Sequence, residues 1–317
     1  MFEEIIEAIQ EHGRIIIHRH SSPDGDALGS QIGLAELIRA TYPDKTVYTV
    51  GDAAGRYAFM DGAVMDEIPD KAYEGALAVI LDSAEASLVS DKRYALAAKT
   101  VRIDHHIKCD TFADLEVVDT SFESCAGMIA YLAKEQDLNV NEQAATAMYT
   151  GMVTDSGRFR YDATTARTFE LAAFLLSHGA KTQEIYRNLY AEDLSRLQLR
   201  AKFIDRIQFF EDSPVAYIYT SREDMEALGN PDVFSVSRGM VNVMADIKGI
   251  DIWANFTEDE NEVLCELRSS CYNIQPVAVK YNGGGHKKAC GAGVKDRAEA
   301  MEMLKDLKAI AERGEKE

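Results

Sequence analysis

An α/β protein built on a largely parallel sheet, followed by a smaller α+β domain, is the fold this sequence predicts. Three observations point to it. Short apolar runs alternate with helical spacings through the first 190 residues. Several of those runs end on Asp or His, the mark of strands that deliver polar groups to one edge of a sheet. Past residue 212 the pattern changes to alternating strands with an acidic turn between two of them. At 317 residues the chain can bury a large core, and a split into two domains follows from that length.

The first 13 residues, MFEEIIEAIQEHG, read as an acidic amphipathic helix with Phe2, Ile5, Ile6 and Ile9 on its apolar face, not as a signal peptide. Arg14 to Ile17 reads as a short buried strand, and Ala27 to Ala40 as a helix. Between them lies His18 to Ser30, HRHSSPDGDALGS, where Pro23 and Gly25 force a tight turn. Further strands are expected at Thr46 to Val50, Leu77 to Leu81 and Thr100 to Ile103, with a short edge strand at Leu115 to Val118. Helices follow at Ser124 to Gln136, Asn141 to Thr154, Thr164 to His178 (closed by Gly179) and Thr182 to Tyr190. Asp193 to Ile207 has no Gly or Pro and reads as a helical connector. Beyond it, Val215 to Tyr219 alternates like a strand, and Arg222 to Leu228 and Arg238 to Ala245 look helical. Ile250 to Phe256 and Glu262 to Arg268 look like an antiparallel pair, and Asn273 to Tyr281 is helical. Gly283 to Lys288 follows, and a charged helix runs from Asp296 to about Arg313.

Composition limits the possible functions. The net charge is −19 and the pI about 4.8. A protein that coats long nucleic acid needs a Lys/Arg surface, so that class is excluded. A small phosphorylated substrate bridged by metal ions is not. No apolar run approaches the length of a membrane span, so no membrane partner is expected. Cys109, Cys125, Cys265, Cys271 and Cys290 form no CxxC pair and read as reduced thiols of a cytoplasmic protein.

The chemistry-bearing residues sit where strands and helices end. His20, Asp24 and Asp26 fall on the strand-to-helix turn, a set suited to Mn²⁺, Mg²⁺, Zn²⁺ or Fe²⁺. Two carboxylates this close repel unless a cation lies between them. Taken alone, the turn reads equally well as a helix cap with Asp26 at the N-cap. Asp82 follows an apolar run and by itself is better read as a capping residue. Asp104-His105-His106 ends another; adjacent histidines on a strand point to different sides, so one can ligate while the other meets substrate. Asp155, in VTDSGRF, closes a helix. Four such motifs, each at the end of an apolar element, can converge on one site. Arg158 and Arg160 flank the last, with one expected to point inward. His12 and His178 read as structural, Trp253 as core, and His18 shares the parity of His20.

Together these motifs resemble the DHH phosphoesterase superfamily, whose name-giving triplet stands at Asp104-His105-His106. Its HxxPDxD motif stands at His20 to Asp26, its strand-end aspartate at Asp82, and its fourth motif at Asp155. The run GGGHKKACG, Gly283 to Gly291, is similar to the glycine-rich signature of DHHA1 domains. The segment Gly151 to Tyr161 and the compact layout look most like the bacterial nanoRNase/pAp-phosphatase (NrnA-like) group. Ser156 stands where Thr is usual, and Cys290 where Ala often stands. Neither change removes a ligand.

The resemblance implies a DHH catalytic domain over 1–190, a helical linker over 191–212 and a DHHA1 substrate-binding domain over 213–317. It also implies two metal ions, usually Mn²⁺, with Mg²⁺ or another divalent ion as the alternative. His20, Asp24 and Asp82 would hold one ion, and Asp26, Asp82, His105 and Asp155 the other, with Asp82 bridging. His106 would face the scissile phosphate, so His106 and Asp82 are the implied catalytic residues. Gly283, Gly284, Gly285 and His286 would bind substrate phosphates, and Arg268 a phosphate or base. Glycines lack Cβ atoms, so their N–H groups can approach a phosphate closely. Two cations about 3.5–4 Å apart stabilise the attacking and leaving oxygens of such a reaction.

The implied activity is hydrolysis of short RNA oligonucleotides (nanoRNA) to 5′-mononucleotides, and of 3′-phosphoadenosine 5′-phosphate (pAp) to AMP. Linear or cyclic dinucleotides such as pApA and cyclic di-AMP are alternative substrates. A catalytically silent nucleotide sensor is an alternative from another class. A homodimer is left open.

Overall fold

Five apolar runs pair into one parallel sheet in the order β2-β1-β3-β4-β5. They are β1 (Arg14–His18), β2 (Thr46–Thr49), β3 (Leu77–Leu81), β4 (Lys99–Asp104) and β5 (Leu115–Val118). The structure is a computed structural model, and it describes residues 2–314 and 316. Two units divide the chain, Met1–Ala191 and Glu192–Glu317, each with its own sheet.

In the first unit β3 is buried along its whole length, as a central parallel strand is when both faces are covered. Ile15, Ile17, Leu77, Val79, Leu81, Val101 and Ile103 share one core with the helices. These are α1 (Glu3–Glu11), α2 (Gly25–Thr41), α3 (Cys125–Glu135), α4 (Glu142–Asp155), α5 (Ala166–Ser177) and α6 (Thr182–Tyr190). Ile16 packs in a separate cluster with Val50, Tyr73 and Ala76, next to a short 3₁₀ turn at Asp70–Tyr73. Helices thus cover both faces, long on one and short on the other. β1 has its sequence successor β2 on one side and β3 on the other, which makes the ends of β1 and β3 the topological switch point of the sheet.

One packing contact does most to place the site. Gly25, Gly29 and Gly33 form a stripe at four-residue spacing on α2. A Cβ on Gly29 would lie 2.6 Å from the Ala147 carbonyl, and one on Gly25 2.5 Å from the Thr154 hydroxyl. The stripe lets α2 and α4 pack backbone to backbone. That draws the start of α2 against the end of α4.

The second unit holds a six-stranded sheet in the order β10-β11-β9-β8-β7-β6. Its elements are α7 (Leu194–Ile204), β6 (Gln208–Phe209), β7 (Val215–Thr220), α8 (Arg222–Ala227), α9 (Val233–Met240), β8 (Ile252–Glu258), β9 (Val263–Ser269), α10 (Gln275–Lys280), β10 (Gly284–His286), β11 (Ala289–Val294) and α11 (Arg297–Arg313). β8 and β9 are the antiparallel pair expected from their alternation, and β7 runs parallel to β8. The helix expected over Arg238 to Ala245 lies earlier. Asp232 accepts from the Ser235 N–H and starts α9 there, and a 3₁₀ turn takes over at Val241–Met244. Trp253 is buried in core, as its strand position suggested. The five cysteines are free thiols, and among the described residues no helix is long and apolar enough to cross a membrane.

Candidate metal centre

The first unit brings the Asp and His residues of all four motifs together at the switch point. His20 lies just past β1, where its loop is held by the 88–90 segment: Ser21 N–H donates to Leu88 O and Ser90 N–H to Arg19 O. Asp82 follows β3 with φ +52°, a left-handed conformation uncommon for a residue with a Cβ. His105 and His106 follow β4, and Asp155 is the last residue of α4.

His20 Nε2 lies 3.8 Å from Asp24 Oδ1 and 3.5 Å from Asp82 Oδ2. His105 Nε2 lies 3.6 Å from Asp26 Oδ2, 3.6 Å from Asp82 Oδ1 and 3.4 Å from Asp155 Oδ2. Two clusters therefore share Asp82, whose two oxygens face different histidines. His106 joins from the side, with Nδ1 3.4 Å from Asp82 Oδ1. The expectation that His105 and His106 point apart does not hold, because strand alternation stops at Asp104 and both rings turn to the same carboxylate.

The donor set fits divalent cations. Asp82 Oδ1 and His105 Nε2 are buried and have no hydrogen-bond partner among the described residues, although both can ligate. Each of three sets, His20/Asp24/Asp82, Asp26/His105/Asp155 and Asp82/His105/His106, has its ligand atoms within 4.8 Å of one another. The charges agree. Burial, then the neighbouring charges of Asp82, Asp155 and Asp24, push the Asp26 carboxyl well above its ordinary range. Burial raises that of Asp155 to about 6. Burial opposes a charged His20, but the nearby carboxylates of Asp24 and Asp82 prevail and raise it to about 10. A cation among these groups removes the repulsion and favours the opposite protonation states.

The two aspartates of the first motif have different backbone duties. Asp24, not Asp26, caps α2, accepting from the Asp26 and Ala27 N–H groups. Asp26 is buried and instead accepts from the Cys125 and Ala126 N–H groups at the start of α3, at 2.7 and 2.8 Å. Tight turn geometry fits Asp24 for the cap, while the glycine stripe buries Asp26 between three helices.

Other residues hold the ligands in place, and the motif reading missed them. Arg19 is fully buried and donates to Gln31 Oε1, the His20 carbonyl and Asp52. Arg102, also fully buried, pairs with Asp104 at 2.6 Å. Asp104 in turn accepts from His106 Nδ1 at 2.8 Å, which leaves Nε2 of that ring to face outward. The visible signal was a charged residue inside an apolar strand, Arg102 between Val101 and Ile103. His18 has no such role: its ring lies tilted against Tyr73 and edge-on to Tyr94.

The predicted substrate residues lie in the second unit. Arg268 on β9 pairs with Glu266 at 3.0 Å and donates to the Leu267 carbonyl. Gly284, Gly285 and His286 form β10 rather than a loop. Gly283 and Gly285 are explained by the backbone of β11, since a Cβ on either would strike it at Gly291 O or Ala289 O. Gly284 alone of the three faces open space, and His286 is exposed.

Comparison with known proteins identifies the family. Residues 14–152 match the DHH family, N-terminal domain, and residues 234–313 the DHHA1 domain. The chain is 35% identical to the bifunctional oligoribonuclease and PAP phosphatase NrnA of Bacillus subtilis (strain 168), over 99% of this chain and 100% of that protein. It is 33% identical to a probable bifunctional oligoribonuclease and PAP phosphatase NrnA of Streptococcus mutans, over 97% and 98%. Among solved structures it is similar to an exopolyphosphatase-related protein from Bacteroides fragilis, with a TM-score of 0.81 at 25% identity, covering 96% of this chain and 94% of that one.

Proposed function

Because the chain belongs to the DHH–DHHA1 phosphoesterases, and within them to the NrnA-like group, we propose that it hydrolyses short oligoribonucleotides to 5′-mononucleotides and pAp to AMP. The observation that carries the reading is the shared Asp82: one buried carboxylate with an oxygen directed to each of two His/Asp clusters. His20, Asp24 and Asp82 would hold one divalent ion, and Asp26, Asp82, His105 and Asp155 the second, with Mn²⁺ as the proposed metal. When bound, such a pair supplies charge to the attacking and leaving oxygens of an in-line displacement.

The chain's own residues do the rest. Asp104, itself held by Arg102, occupies Nδ1 of His106 and fixes the ring so that Nε2 can meet a phosphoryl oxygen. The hydrogen bond that His106 Nδ1 donates to Asp104 raises the ring to about 9, and in its protonated form the ring can offset charge that develops on the phosphoryl group. Asp26 is locked by two backbone N–H groups and needs no rearrangement to serve. In the second unit, Gly284, His286 and Arg268, with flanking Gly283 and Gly285, are the proposed contacts for the substrate's other phosphate and base.

A product assay in Mn²⁺ tests this, with pAp and RNAs of two to five nucleotides as substrates. AMP and 5′-mononucleotides are the expected products. Asp82→Ala and His105→Ala proteins should retain a native circular dichroism spectrum and show no turnover above background. Normal turnover by the Asp82→Ala protein would overturn the two-cluster reading.

A further inference from the structure

Two arginines lie across tyrosine rings beside the metal centre. The Arg158 guanidinium carbon is 4.8 Å from the Tyr190 ring centre, and that of Arg56 is 4.9 Å from the ring centre of Tyr57. The pairs lie within electrostatic range of each other, since the charges of Tyr57 and Arg56 as well as Arg158 act on Tyr190. They also border the ligand carboxylates: Tyr57 feels the charges of Asp24 and Asp155 and faces the Gly25 N–H. Both arginines are exposed. Among the described residues neither forms an ion pair with a carboxylate, in a chain of net charge −19.

The backbone that presents Arg158 is unusual. Gly157, Arg158 and Phe159 have φ of 58°, 65° and 63°, three left-handed residues in a row. Residues with a Cβ adopt this conformation only when their surroundings impose it. Here Ser156 Oγ accepts from the Phe159 N–H at 2.9 Å, and the Arg158 N–H donates to Val153 O at 2.9 Å. The Phe159 ring packs against Tyr149 and Phe169. The turn directly after Asp155 is thus over-determined, and it sends the Arg158 side chain to the Tyr190 ring.

We infer that Arg158 on Tyr190, with Arg56 on Tyr57, forms a subsite for the nucleotide unit next to the scissile phosphate. The inference rests on the phosphoesterase reading above and names a contact surface in the first unit. A guanidinium plane held on an aromatic ring keeps its edge free for phosphate oxygens and its outer face free for a base. Such a cationic surface offsets the repulsion that an anionic nucleotide meets from an acidic protein.

Initial rates on pApA and on bis(p-nitrophenyl) phosphate, a diester without a base or second phosphate, test it in Mn²⁺. For Arg158→Ala and Arg56→Ala, KM for pApA should rise about tenfold with kcat nearly unchanged, the mark of a lost binding contact. The ratio of kcat/KM on pApA to that on the small diester should fall by the same factor. Arg158→Lys, which keeps the charge, should recover part of the loss. Equal losses on both substrates, or an unmoved KM in both alanine variants, would overturn the subsite. Failure of the underlying reading looks different: the unmodified protein would then cleave neither pApA nor pAp.

Discussion

Asp104 heads the triplet that names the family, yet its carboxylate is committed to Arg102 and His106. The neighbouring residues thus divide the labour: His105 reaches three carboxylates, and His106 is aimed by the residue two before it. His18, two residues before His20, shows the opposite fate of a buried histidine. Both ring nitrogens lack a hydrogen-bond partner among the described residues, and burial, against the pull of Asp91, brings its pKa down to about 4. In the unfolded chain the ring takes up a proton near its ordinary value of about 6.5. Between those values the unfolded state binds the extra proton, so stability is full above about pH 6.5 and falls as pH drops toward 4. The loss is on the order of 3 kcal/mol. His18→Phe keeps the ring contacts and removes the proton site. Its melting temperature should therefore fall less than the unmodified protein's between about pH 7 and pH 5. Parallel curves would show that His18 does not titrate on unfolding.

At the scale of elements, the glycine stripe of α2 decides where Asp155 ends up. Gly151 answers it from α4, where a Cβ would come within 2.9 Å of Asp26 Oδ1 and 2.5 Å of the Ala126 side chain. Gly29→Val should therefore push α4 away, cost about 1–3 kcal/mol of stability, and separate Asp155 from His105. Urea unfolding and phosphodiesterase rates on the same protein check both effects. Unchanged stability would mean that α2 and α4 can repack around the added methyl groups. The stripe was present in the sequence as Gly25, Gly29 and Gly33, but spacing alone does not distinguish a helix–helix contact from permissive loop and helix residues. Asp82 illustrates the same limit: its strand end was legible, its left-handed φ was not.

For the whole molecule, each unit has a separate core, and the donor clusters belong entirely to Met1–Ala191. A ligand that binds only the folded state stabilises it by about 2.7 kcal/mol at a concentration of one hundred times Kd. Calorimetry should then resolve two transitions, with saturating Mn²⁺ raising only the one that belongs to the first unit, and EDTA reversing the rise. No shift, or a shift of the other transition alone, would count against a metal site in the first unit.

By itself the sequence determined the alternation of strands and helices, the strand ends that carry Asp and His, and the family those motifs identify. These are local properties: periodicity, turn residues and short motifs are read within a dozen neighbours. Only the tertiary structure decided that Asp26 accepts from the first two N–H groups of α3 while Asp24 caps α2, and that both histidines of the triplet face Asp82. It also decided that Gly283 and Gly285 are demanded by a neighbouring strand. Asp26 with Cys125, and Asp82 with His105, are far apart in the chain, and their meeting is set by packing and burial rather than by any local pattern.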